Sequence, residues 1–500
     1  MRAIDSGESP MARADHNPTR RDVFALAALG LAAGAPQLAR AAGADAKLTW
    51  GIHTTLAPAW LDPADTPGFI TPFMELYALH DAVVKPMPGN SMTPCLAESW
   101  SASEDGLTYD FVLRKGTIFH NGDPVTAEDV KFSFERYHGS SKDLLHNRVA
   151  AIETPDPGHV RFKLKSPWPD FMTFYATATG ASWVVPKKYV ETVGNDGFKR
   201  APIGAGPYKF VSSQPGIEVV FEAFDQYWRK KPSVKRLVFK MIPDEATRLA
   251  ALKAGEVDIV YSIRGPLGEE LRRTPGLTLK PAVLQAPFYV YFPDQWDPKS
   301  PWYDVRVRRA ASLAIDRQGI NDAITLGFSK ITGSTIPANF DFYWQPPMPL
   351  HDPAKAKELL AEAGHPGGFD AGEFFCDASY STVAEAIVDN YQAVGLRCKL
   401  RPLERAAFFD AYSHRRLKNL LLSGSGAFGN AATRLEAFVV KGGIYSYGSY
   451  PDIDELFPRQ AAELDRKKRG AILDKMQQLL HEKAIYAPIW QLGFLNGVGP

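Results

Sequence analysis

Along positions 108–114, Tyr109, Phe111 and Leu113 interleave with Asp110, Val112 and Arg114, the period-two pattern of a strand with one buried face. Asn121, Gly122, Asp123 and Pro124 follow with turn chemistry. The period then changes. Thr126 is a suitable N-cap, Glu128 and Asp129 put negative charge in the first turn, and Val130, Phe134 and Tyr137 share one helical face. The stretch 96–136, LAESWSASEDGLTYDFVLRKGTIFHNGDPVTAEDVKFSFER, is therefore predicted to be one strand–turn–helix unit.

Similar patterns recur. The segments 49–55, 159–164 and 218–224 read as strands, and Gly204, Gly206 and Pro207 make a tight turn before Tyr208. Asp244 is placed to cap a helix with Leu249 and Leu252 on its apolar side, Gly255 ends it, and VDIVY follows as a short apolar strand. Later come a helix from Asp304, a helix over 353–363 ending at Gly364 and a strand holding Cys376. A helix closed by Gly395, a strand at 397–400 and a helix over 466–481 complete the series. Helices alternating with apolar strands predict an α/β protein with buried sheets.

The first residues follow another logic. Thr19, Arg20, Arg21 and Phe24 precede an Ala/Gly/Leu-rich run over 25–38 and small residues over 39–46. That order resembles a twin-arginine export signal. Gly34 and Pro36 interrupt the apolar run, which is shorter than the ~20 residues of a membrane span. Residues 1–45 are thus expected to be a signal removed near Ala41 or Ala46, and the remainder to be soluble and exported. Its length suits about three domains at ~150 residues each.

With 57 Lys and Arg against 56 Asp and Glu, the formal net charge is +1, which argues against nucleic acid or an anionic membrane as the main partner. The three cysteines, Cys95, Cys376 and Cys398, form no CxxC pair. Cys376 and Cys398 could lie on neighbouring parallel strands, but small buried hydrophobes are the preferred reading over a disulfide. There is no HExxH and no spaced His/Cys cluster of the zinc type.

The stretch 96–136 also resembles the signature of family 5 extracellular solute-binding proteins, the dipeptide, oligopeptide and nickel binding proteins of ABC importers. APIGAGPYKF at 201–210, DQYW at 225–228, RLAALKAGEVDIV at 248–260 and DVRVRRAASLAIDRQGI at 304–320 match the family pattern in order. The resemblance implies a two-lobed, periplasmic-binding-protein type II-like α/β fold with mixed sheets and an additional third domain. Residues 46–80, 201–285 and 486–500 would form lobe I, 81–200 the extra domain and 286–485 lobe II. Relatives continue some tens of residues beyond the crossover YAPIWQ at 486–491. It also implies a monomeric periplasmic receptor, not an enzyme, that closes by hinge motion on a small-molecule or peptide-like ligand and docks on an ABC permease with its ATPase. This chain has no GxxxxGK[ST] loop of its own.

Residues 424–429 match GxGxxG, a dinucleotide fingerprint, but no strand ending in an acidic residue follows about twenty positions later, as the ribose contact requires. No cofactor is therefore expected; a nucleotide-dependent enzyme and a ligand-presenting sensor stand as alternatives. The resemblance gives another reading. The loop is similar to GWGADYxDP, whose aspartate, in peptide binders, receives the ligand's α-ammonium group. Here Ser425 replaces the tryptophan and Phe428 the aspartate, and Thr433 stands where nickel binders carry a histidine. An ammonium closed into a cleft without a charge partner loses several kcal/mol, and a phenyl face returns only ~0.5–2 kcal/mol. Unmodified peptides are therefore expected to bind weakly, while the loop amides could take an anionic group. The predicted ligand-binding residues are Trp60, Tyr291, Ser425, Gly426, Phe428, Asn430 and Tyr445, with no metal and no catalytic residue.

Overall fold

The computed structural model describes residues 46–66, 73–139, 141–177, 180–424 and 429–500. A single 11-stranded sheet runs through both halves of the molecule. Its order is β15 (Leu396–Leu403), β14 (Phe369–Asp377), β16 (Leu420–Gly424), β12 (Thr278–Tyr291), β17 (Tyr486–Val498), β11 (Ile259–Ile263), β1 (Lys47–Ile52), β10 (Arg236–Met241), β9 (Glu218–Ala223) and β8 (Tyr208–Gln214). The short β13 (Lys330–Ile331) pairs with β17 outside that path.

β12 and β17 are the members that belong to both halves. The end of β12 at 288–291 pairs with β16, whereas the end of β17 at 495–498 pairs with β11. Along their shared ladder the register shifts between Val283 and Pro287 and again between Phe288 and Tyr289. Such bulges bend and twist a ribbon locally, so the connection between the halves has its bend built in at its middle. β17 is buried over nearly its whole length, which is why YAPIWQLGFL reads as a continuous apolar run without alternation.

A separate four-stranded sheet, in the order β4 (Ala97–Ala102), β5 (Thr108–Leu113), β7 (His159–Leu164), β6 (Val149–Asp156), forms the second domain, preceded by the hairpin β2 (Val84–Met87) and β3 (Asn90–Pro94). The predicted strand–turn–helix unit lies here. Tyr109, Phe111 and Leu113 are buried, and the helix Ala127–Glu135 opens with a capping box in which Thr126 and Asp129 satisfy each other's backbone amides. Val130, Phe134 and Tyr137 pack into the same core as Phe111 and Phe162.

β14 and β15 are parallel neighbours, as the cysteine spacing allowed. Their register sets Cys398 opposite Gly372 and Cys376 opposite Pro402. Four residues of offset is ~13 Å along a strand, too far for a disulfide. All three cysteines are free thiols, and burial pushes each up to about 12.

Candidate functional site

The two halves meet beside the middle of β12 and β17. From the first lobe, β1 runs out to His53, whose ring lies 5.0 Å from that of Tyr261, and Tyr261 in turn stacks on Phe494 of β17 at 5.0 Å and 8°. The chain next to Tyr261 is strained, because Ser262 has φ 63. Buried Arg248 holds that bend: its guanidinium donates to the carbonyls of Tyr261 (3.1 Å), Ser262 (2.6 Å), Ile242 (2.7 Å) and Pro243 (2.7 Å). The bend sends Arg264 across to the other half, where it donates to the Ser379 carbonyl and lies 4.9 Å over the Tyr380 ring.

On the opposite wall, β14 ends at Asp377. Its carboxylate caps the one-turn helix Ala378–Tyr380 by accepting from Ser379 N at 2.9 Å, and also accepts from Arg405 at 2.7 Å. Tyr380 meets Phe288 edge to face at 4.7 Å. A methyl at Gly424 would lie 2.2 Å from the Phe288 ring, so only glycine lets β16 end here. Burial, then Arg248, Arg405 and Arg264 together, push His53 down to about 3, leaving a neutral imidazole at ordinary pH. Its Nδ1 is buried and has no hydrogen-bond partner among the described residues.

The predicted loop leaves from Gly424. Ser425, Gly426 and Phe428 lie outside the described residues. The loop's far end is anchored: Gly429, at φ 99, has room for no side chain beside Thr173 and Thr433. Asn430 caps the helix Ala431–Phe438 by accepting from Thr433 N at 3.1 Å, and donates to Asp170 of the second domain at 2.6 Å. Asp170 also pairs with buried Arg469, and Arg148 reaches Glu436 at 3.3 Å. Beside Glu436 opens a cavity of ≈ 570 Å³ lined by Lys142, Thr173, Phe174, Thr433, Glu436 and Phe438 among others. Burial there pushes Glu436 up to about 7 despite Arg148.

Trp60, on the short helix Pro58–Leu61, is half-buried against the first-lobe core. Of the predicted ligand-binding residues, Tyr291 and Tyr445 both lie in the second lobe's aromatic core. Tyr291 is 1% exposed, and its hydroxyl accepts from Trp296 Nε1 (3.0 Å) and Tyr447 N (3.2 Å). Tyr445 is stacked on Phe438 at 4.9 Å. His53, Arg264, Tyr380 and Arg405, none of them a predicted site residue, lie together where the halves meet. Nothing local marks them, since each stands alone in its own segment. Among the described residues no group of three His, Cys, Asp or Glu side chains could hold a metal, and no helix is long and apolar enough to cross a membrane.

Two α/β halves crossed by long shared strands, with a further domain closing on one of them, define a substrate-binding protein of the type II periplasmic class. The chain belongs to the bacterial extracellular solute-binding proteins, family 5, whose model matches residues 91–446. It is 27% identical to the dipeptide-binding protein of Escherichia coli K12 (78% of this chain, 79% of that protein). It is 26% identical to heme-binding protein A of Haemophilus influenzae (79% and 78%). Among solved structures it is similar to the periplasmic binding protein AgaA of A. tumefaciens R10 in complex with agropinic acid, at TM-score 0.76 and 26% identity over 91% of this chain and 94% of that one. Such proteins bind solutes for ABC importers, in partnership with permease and ATPase subunits, and are periplasmic or extracellular.

Proposed function

We propose that this protein is a monomeric periplasmic receptor, exported by the twin-arginine route and without enzymatic activity, that closes on a small polar or amphipathic solute other than an ordinary peptide. The observation that carries the reading is the pair of cross-cleft links, Arg264 to the Ser379 carbonyl and Asp170 to Asn430, which join segments from different parts of the fold around the cleft loop. Opening about the bulged middle of β12 and β17 would break the first of them, and a ligand touching both walls stabilises the closed form because it makes all its contacts only there. Phe428 in place of the peptide binders' aspartate supports a non-peptide solute, and AgaA's agropinic acid is an example of one taken by a similar protein. Calorimetry and small-angle scattering on the purified protein test this. A non-peptide solute should bind and shrink the particle, with free di- and tripeptides weaker. Submicromolar binding of unmodified dipeptides refutes the ligand class, and stabilisation by NAD or FAD without any solute-induced closure refutes the receptor.

A further inference from the structure

We propose that the captured solute carries a carboxylate or equivalent oxyanion, and that Arg264 from one lobe and Arg405 from the other bind it together, with His53 Nδ1 as a neutral partner beneath them. The proposal rests on the receptor reading above and names the chemistry of the same cleft.

Arg264 lies 4.9 Å over the Tyr380 ring, and Arg405 is bonded to Asp377, which caps the turn that carries Tyr380, so the two guanidiniums converge on one residue near His53. Two carboxylates answer them. Asp377 is engaged by Arg405 and the Ser379 amide, and Glu245 accepts from the Arg264 backbone amide. Arg248 gives four of its five N–H donors to carbonyls and stays structural. Arg264 and Arg405 are different: both are half-buried, both lie against Tyr380, and they come from opposite walls. A guanidinium offers five N–H donors in a planar fork; Arg264 gives its own to Ser379 O and Ser262 Oγ, and Arg405 to Asp377 and Tyr380, which leaves donors on each for a ligand. Closing the lobes therefore drives two cations toward each other in a partly dry cleft. An anion between them turns that repulsion into attraction, so closure becomes conditional on the ligand's charge. The neutral imidazole fits the same role. A cationic histidine would add a third repulsive charge, whereas His53 is neutral, and its buried Nδ1 has no hydrogen-bond partner among the described residues.

The test is a thermal-shift and calorimetry panel on the whole protein: agropinic acid, gluconate, succinate and sulfate, against glucose and succinamide as neutral counterparts and putrescine as a cation. The expected result is that at least one anion binds and its neutral counterpart does not. Arg264→Gln and Arg405→Gln should each weaken that anion about tenfold to a hundredfold, the loss expected for one charge-assisted contact. Arg405→Lys should recover part of the affinity, and exposed Arg272→Gln should change nothing. Unliganded melting of the variants is compared with wild type, so that a folding defect is not mistaken for lost binding. The proposal is overturned if no anion in the panel binds, if neutral or cationic probes bind as well as anions, or if anion affinity survives both glutamine substitutions. In the second case solute-induced closure would still stand, and only the charge assignment would fall.

Discussion

Removing Asp170 should undo the docking of the second domain on the second lobe. Asp170 and Arg469 form an ion pair whose side chains are only 4% and 6% exposed, so neither charge has water to fall back on. In Asp170→Ala, Arg469 keeps two bonds of 3.1 Å to Gln460 Oε1 but loses its counter-charge. Breaking one partner of a buried pair costs about 3–5 kcal/mol, and the lost bond to Asn430 adds ~1 kcal/mol. Removing both charges, as in Asp170→Ala with Arg469→Met, should recover part of this, because the uncompensated cation is gone. A double-mutant cycle by urea denaturation, followed by tryptophan fluorescence, is therefore expected to give a coupling of ~2 kcal/mol or more. Hydrogen exchange should accelerate at the amides of 431–438, since Asn430 caps that helix and Asp170 holds Asn430. Additivity of the two single substitutions within about 0.5 kcal/mol would refute the reasoning.

Glu75 is fully buried, neither of its oxygens has a hydrogen-bond partner among the described residues, and burial pushes its carboxyl from 4.5 up to about 8. The native state keeps a proton that the unfolded chain releases, so stability falls as pH rises from 4.5 through 8; between pH 6.5 and 8 the loss should be about 1.5 kcal/mol. Buried His80 and His120, each lowered to about 4, act with the opposite sign below 6.5, which leaves the upper window to Glu75 and, up to about 7, Glu436. Glu75→Gln should flatten the profile above pH 7, and an unchanged slope would contradict this assignment. Titration of the denatured, unreduced protein with a thiol reagent should find all three cysteines reactive, because β14 and β15 hold Cys376 and Cys398 out of register; one reactive thiol would mean a disulfide. Phe428→Asp should strengthen binding of dipeptides by supplying a counter-charge to the ammonium, measured by calorimetry, and weaker binding would refute the loop alignment behind it.

The elements legible in the sequence are those whose information is local. Thr126 and Asp129 stand three residues apart, and their capping box needs nothing else. Asp244 and Asp304 cap the helices expected of them for the same reason. The order of the large sheet is not local, since Tyr291 pairs with Tyr486 through a ladder that no nearby residue encodes. Resemblance, not periodicity, pointed to a two-lobed protein with a ligand loop after β16.

The cleft was harder to read, and β12 shows why. Successive side chains of a strand point to opposite faces, so a choice between neighbours decides everything. Tyr289 and Tyr291 go to the second lobe's tyrosine-rich core, whereas Phe288 and Val290 go to the other face, where Phe288 packs between Gly424 and Tyr380. The aromatic content of the segment announces an apolar wall on either face, and only the pairing with β16 and β17 says which. Arg264 and Arg405 carry no pattern in the sequence at all. They meet because a strained turn at Ser262 aims one and the carboxylate that ends β14 holds the other. Aromatic residues thus record the packing of the lobes, while the two arginines proposed to bind the ligand are single charged residues that only the shared sheet brings together.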